Sequence, residues 1–177
     1  MTTATQPPKY PAGEYQANQG YGEKEKRQYA SRLREAATKI RQATTGLTPE
    51  QLNTKYKNWT VRQIVHHLAD SHMNAFVRFK LTLTEDVPTI KPYDESRWSE
   101  VIDAKEGPIE PSLLILEGIH ARWSDLVERI NQNDLRREFH HPELGRRLSL
   151  EEALAMYVWH GDHHLAQIKW VRDQNGL

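Results

Sequence analysis

EDVPTIKPYDESRWSEVIDAKEGPI, residues 85–109, is the stretch that decides how this chain folds. It contains Pro88, Pro92, Gly107 and Pro108 and reads as one long connection between two helical patterns. Antiparallel helix neighbours are joined by a few residues, whereas a connection of about 25 residues can return the chain along the length of a bundle. It therefore predicts a crossover, with the helix before it and the helix after it running parallel.

The flanks supply those helices. Thr60-Val61-Arg62-Gln63 has the form of a capping box and opens a second helix that runs to about Leu83. Pro111 stands where a third helix begins, with the apolar stripe Leu116, Ile119, Trp123, Leu126, Val127 and Ile130. Further upstream, Leu33, Ala36, Ala37, Ile40 and Ala43 recur at three- and four-residue steps in a first helix from about Glu23 to Ala43, with Gly46 as its stop. Thr48 and Pro49 start a short helical turn. After a loop with Pro142 and Gly145, Ser149-Leu150-Glu151-Glu152 is another capping box, and a fourth helix runs to about Asp173. No strand-period run interrupts the pattern, so the class is all-α with four main helices. A short internal echo joins the halves. Leu47 to Leu52 and Tyr56 precede one capped helix, and Ile130 to Leu135 and Phe139 precede another, which suggests two related helix–turn–helix units. Residues 1–22, with three prolines and three glycines, read as an arm, and Tyr10, Tyr15 and Tyr21 would let it pack on the bundle formed by residues 23–177.

Composition narrows the function. Lys+Arg and Asp+Glu are balanced at 24 each, without the basic excess of a nucleic-acid binder. No apolar run is long enough for a membrane span, and residues 1–15 lack the apolar core of a signal peptide, so the expected location is the cytoplasm. Cysteine is absent, which leaves His, Asp and Glu as the only metal-ligating side chains.

Trp159-His160-Gly161-Asp162-His163-His164 is the chemical focus. His160 and His164 lie one turn apart on one helix face, a spacing at which two imidazoles can share a metal ion. The same spacing also suits ordinary core or surface histidines. On a helical wheel Leu150, Leu154, Tyr157, Leu165 and Ile168 mark the buried face, and His160 and His164 fall at its edge; His163 and Asp162 point away, and His163 reads as solvent-exposed. A catalytic zinc-type site takes three protein ligands. Candidates for the third are His66, His67 and His72 in the second helix, His120 in the third, and the loop residues His140 and His141. Periodicity places His72 and His120 towards the core and His67 on a polar strip with Asp70, Ser71, Asn74 and Arg78, so it does not single out His67.

Longer strings carry a resemblance. Trp59-Thr-Val-Arg-Gln-Ile-Val-His-His67-Leu-Ala-Asp70-Ser-His-Met-Asn74, Arg78 to Asp86, Lys91-Pro-Tyr-Asp-Glu95, His120-Ala-Arg-Trp123 and Tyr157-Val-Trp-His160-Gly-Asp-His-His164-Leu-Ala166 together resemble the YfiT branch of the DinB-like superfamily, as does Tyr10-Pro-Ala-Gly-Glu-Tyr15. The resemblance covers nearly the whole chain. It implies an up-down-down-up four-helix bundle, a homodimer, and one divalent metal held by His67, His160 and His164. Many DinB-like chains follow the last histidine with Arg-Gly-Gln, whereas here Leu165-Ala166-Gln167 follows, as in the YfiT branch.

An all-nitrogen set suits zinc first, with nickel, iron and manganese also fitting. An ion held by three neutral imidazoles keeps its double charge and can activate water or bind a thiolate. The resemblance thus implies a metal-dependent hydrolase of small molecules or, as in related bacillithiol S-transferases, transfer of an external low-molecular-weight thiol. Gly161 stands where a His-Glu-x-x-His motif would carry its base, and Asp70, one turn from His67, is the first candidate for a protein base or for orienting a ligand. The alternative is a non-catalytic metal-binding bundle, closed by His72 or His120 as a fourth ligand.

Overall fold

The computed structural model describes residues 6–17 and 21–176. In chain order the elements are α1 (Glu23–Thr44), α2 (Pro49–Leu52), β1 (Lys55–Tyr56), β2 (Trp59–Thr60), α3 (Val61–Thr84), α4 (Glu95–Trp98), α5 (Ile102–Glu106), α6 (Glu110–Arg129), α7 (Gln132–Leu135), β3 (Glu138–His141), β4 (Arg146–Ser149) and α8 (Leu150–Asn175). The two long helices with capping boxes start where those boxes predict. Thr60 and Ser149 each accept from the backbone N–H three residues on, and Gln63 and Glu152 bond back to the cap N–H. Helix α1 stops ahead of Gly46, whose φ of +79° a side chain would oppose.

Cross-helix contacts give the direction of each long helix. Along α3 and α6 the partners are His66 with Ser112, His72 with His120, and Phe79 with Trp123; both numbers rise together, so the two helices are parallel. Helix α1 pairs Arg41 with Glu110, Arg34 with Ser124, and Lys26 with the Ile130 carbonyl, and is antiparallel to α6. It runs parallel to α8, where Arg32 meets Asp162 and Arg172 donates to the Ala43 carbonyl. Helices α3 and α8 oppose each other, with Trp59 near His164, His67 near His160, and Arg78 on Tyr157. The topology is up-down-down-up. The crossover predicted from residues 85–109 is made by α4, α5 and the extended stretch around Ile90, which pairs with His140 of β3.

Two antiparallel hairpins, β1–β2 and β3–β4, are additions to the all-α reading. Strands of two and four residues are too short to print an alternating pattern, and their turns use Lys57 and Gly145 at positive φ. They also make the internal echo visible. Each half of the chain runs long helix, one helical turn, hairpin, capped long helix, with Leu52 and Tyr56 buried in one half and Leu135 and Phe139 in the other.

The core divides in two along the bundle. One apolar cluster gathers Leu33, Phe79, Trp123, Leu150 and Leu154, and the other Ile40, Ile64, Leu68, Leu116 and Ile168. In α3 and α8 the residues between these clusters include His72, His160 and His164, so a layer of imidazoles lies between two hydrophobic layers. Residues 6–17 lie against the bundle: the Tyr56 hydroxyl donates to the Pro8 carbonyl, and Trp159 Nε1 donates to the Gly13 carbonyl at 3.0 Å. Residues 1–5 and 18–20 of the arm lie outside the described residues. Among the described residues no helix is long and apolar enough to cross a membrane.

Phe79 is fully buried and packs edge-on against Trp123 at 4.9 Å between ring centres. Phe79→Ala is expected to cost about 3–5 kcal/mol in denaturant unfolding, the range for an aromatic truncated in a core that cannot collapse around the gap.

Candidate metal centre

The first two turns of α3 are buried on every side, from Val61 to Ala69. Arg62 fixes this end by donating to Asn53 Oδ1, the Gly107 carbonyl and the Pro49 carbonyl, and Gln63 donates to the Ser99 carbonyl. These bonds tie α3 to the chain before α6 and hold His67 towards α8. There His160 and His164 come from successive turns. His67 Nε2 lies 3.0 Å from His160 Nε2, which lies 3.2 Å from His164 Nε2. Nitrogens sharing one ion at zinc-type bond lengths stand about 3.0–3.4 Å apart, so the spacing fits a common ion.

The protons tell the same story. His164 Nδ1 lies 2.7 Å from Gln167 Oε1, an atom that only accepts, so the proton sits on Nδ1 and Nε2 is a bare lone pair facing the cluster. His160 Nδ1 lies 3.3 Å from His72 Nε2, and His72 Nδ1 lies 2.7 Å from His120 Nε2. Running the protons outward along this chain also leaves His160 Nε2 bare. Burial keeps the set neutral: it pushes His67 down to about 4 and holds His160 and His164 well below the usual imidazole range. Neutral nitrogens whose lone pairs converge in a desolvated site repel one another unless a cation lies among them. The donor set fits a divalent metal.

Among the described residues this is the one group of three or more His, Cys, Asp or Glu with ligand atoms within 4.8 Å of one another. His72 stands behind His160 rather than beside the three nitrogens, and His120 stands behind His72. Neither closes the site as a fourth ligand. The triad borders a cavity of about 520 Å³ with largely apolar walls that include Trp59, Phe139, Leu148, Met156, Tyr157 and Trp159. Trp59 lies against His67, 4.5 Å between ring centres, and covers that side of the triad.

The other sequence candidates take different places. His66 bonds Ser112 and the Gly107 carbonyl. His140 belongs to β3, and His141 faces the cavity. The polar strip of α3 splits: Ser71 and Arg78 line the cavity, while Asp70 and Asn74 are not among its walls. Asp70 is half-buried, and desolvation, with Asp103 adding to it, raises its carboxyl to about 6. His163 departs from the solvent-exposed reading. It is half-buried, stacks on Trp159 at 4.9 Å, bonds Gln167 and borders the cavity, because the arm and Trp159 cover a helix face that a wheel treats as open. Gln167 was not singled out from the sequence; its place one turn beyond His164 is the signal that could have found it.

A model of the DinB superfamily matches residues 32–168. This chain belongs to the DinB superfamily. A relative from Bacillus subtilis, named "Putative metal-dependent hydrolase YfiT", is 45% identical over 161 residues, 90% of each chain. A "Putative metal-dependent hydrolase" from Geobacillus thermodenitrificans is 44% identical over 172 residues, 96% of this chain and 97% of the relative. The solved structure of YfiT from Bacillus subtilis, described as a "probable metal-dependent hydrolase with an unusual four-helix bundle topology", superposes with a TM-score of 0.91 at 43% identity, covering 94% of this chain and 97% of that one. The two chains therefore share one four-helix bundle over nearly their whole length.

His160 Nε2 is within 3.2 Å of both other nitrogens, so it is the centre of the triad. His160→Ala is expected to lose stoichiometric metal in elemental analysis after dialysis, while His66→Ala retains it.

Proposed function

We propose that this DinB-superfamily protein is a metal-dependent enzyme that directs a small nucleophile onto an electrophilic small molecule in the cavity beside the triad. The observation that supports it is an open three-nitrogen set: His67, His160 and His164 converge on the wall of a cavity of about 520 Å³, without a fourth side-chain donor among the described residues. A structural site is closed by its protein ligands, and a catalytic one keeps a position free.

When bound, a divalent ion supplies the positive charge that activates a nucleophile and polarises an electrophile. The chain supplies the rest. His72 orients the His160 ring and Gln167 orients the His164 ring through their Nδ1 atoms. Neither partner is a carboxylate, so neither offsets the charge of the ion. Trp59, Phe139, Leu148 and Met156 keep bulk water from the reacting centre and offer an apolar body a surface. Water as nucleophile gives hydrolysis, the reading that agrees with the names of the relatives. A second reading rests on the same uncompensated charge, which favours a thiolate. Since the chain has no cysteine, that thiol is an external low-molecular-weight cosubstrate of the bacillithiol type.

Metal-loaded protein given activated esters alone, and an electrophilic halide with and without such a thiol, separates the outcomes. Hydrolysis predicts ester turnover without thiol, and S-transfer predicts halide consumption only with it; His160→Ala removes either. Metal binding with no turnover in any arm would overturn the enzyme reading and leave a metal-stapled bundle.

A further inference from the structure

The cavity wall holds a buried charge that the triad does not use. Arg78 of α3 is 8% exposed and lines the cavity. Its Nη1 donates to the Tyr157 hydroxyl at 2.8 Å and its Nη2 to the Lys91 carbonyl at 3.4 Å, and both acceptors are neutral. Among the described residues no carboxylate stands within ion-pair distance of it. Glu95 and Glu143 line the same cavity, but both are exposed. A buried guanidinium without a counter-charge is costly, and three of its five N–H donors remain unused. Tyr157 adds a further donor. Its oxygen accepts from Arg78, its own proton meets no acceptor among the described residues, and burial raises its pKa so that the proton stays on.

The position of these groups matters. Tyr157 precedes His160 by three residues on α8, and the two ring centres are 6.3 Å apart. The donors and the triad thus border one cavity, whose walls are largely apolar.

We propose that Arg78 and Tyr157 form a carboxylate-binding subsite, so that the substrate class of the triad is a small molecule with an apolar body and a carboxylate set apart from its reacting centre. The assignment rests on the triad being the reacting centre, and either the electrophile or a thiol cosubstrate can carry the carboxylate. The guanidinium fork pairs both carboxylate oxygens, and the phenol O–H completes the set. Arg78 acts by binding and orientation, and the bonds that break lie at the triad.

Calorimetric binding to metal-free protein isolates the subsite from the metal, with 3-phenylpropionate as probe and 3-phenylpropionamide as its neutral isostere. The acid is expected to bind the wild type about tenfold or more tighter than the amide. Arg78→Gln removes that preference and leaves amide binding and metal content unchanged; Arg78→Lys restores part of it. Equal binding of acid and amide, or an acid affinity unchanged in Arg78→Gln, overturns the proposal. Should Arg78→Gln lose its helical circular dichroism, Tyr157→Phe is read instead and is expected to weaken the acid several-fold while sparing the amide; an unchanged acid affinity there counts against the subsite. In turnover assays, methyl esters of the electrophile and of the thiol are compared with the free acids. A KM penalty confined to one ester, and abolished in Arg78→Gln, shows which reactant uses the subsite. An intact acid preference with no turnover keeps the subsite and removes the enzyme reading, whereas turnover without acid preference does the reverse.

Discussion

Buried imidazoles set the terms for this bundle. Buried His67, His72, His120 and His164 and the partly buried His160 pack ring against ring in a band that neither of the two apolar clusters could fill without loss of the site. Each is a polar group removed from water, and each ring nitrogen left without a partner carries a desolvation cost. The outer nitrogen of His160 meets His72, that of His72 meets His120, and that of His164 meets Gln167; at the end of this chain His120 Nδ1 is buried near the Leu33 backbone without a hydrogen bond. The inner three have only one another. The Nε2 atoms of His67, His160 and His164 face a common point, and a cation there resolves all three at once. That constraint explains why α3 must oppose α8 while running parallel to α6, since His67 belongs to the first pairing and the His72–His120 contact to the second.

Much of the fold was legible because its signals are local. Capping boxes at Thr60 and Ser149 mark the helices that carry the triad, and the length and prolines of residues 85–109 imply the crossover that the cross-helix contacts show. The hairpins were not legible. Their pairing depends on contacts between neighbouring short segments such as Tyr56–Trp59 and Phe139–Leu148, and no periodicity accumulates over so few residues. In the site, the one-turn spacing of His160 and His164 was visible, but amphipathicity failed for His67. A helical wheel assumes one buried face, and the beginning of α3 is buried on all of them, so a polar strip there faces protein instead of solvent. The same assumption misplaced His163, whose outward face is covered by Trp159 and the arm.

Structure and chemistry meet in how the second layer is built. Gln167 and His72 hold ligand rings without adding negative charge, while Arg62 and Gln63 lock the start of α3 to the crossover. The solved structure of YfiT from Bacillus subtilis shares this bundle over 94% of the present chain. What differs between a metal staple and an active centre is whether a position stays open to substrate, and the proposed function rests on the three histidines bordering a cavity.

The composition of the ligand set separates an open centre from a closed one. X-ray absorption at the metal edge of the loaded protein counts it directly. Three imidazole nitrogens at about 2.0–2.1 Å, completed by light atoms from solvent, is the expected shell. A fourth imidazole, or a shell with only two, would contradict the open three-histidine centre on which this account rests.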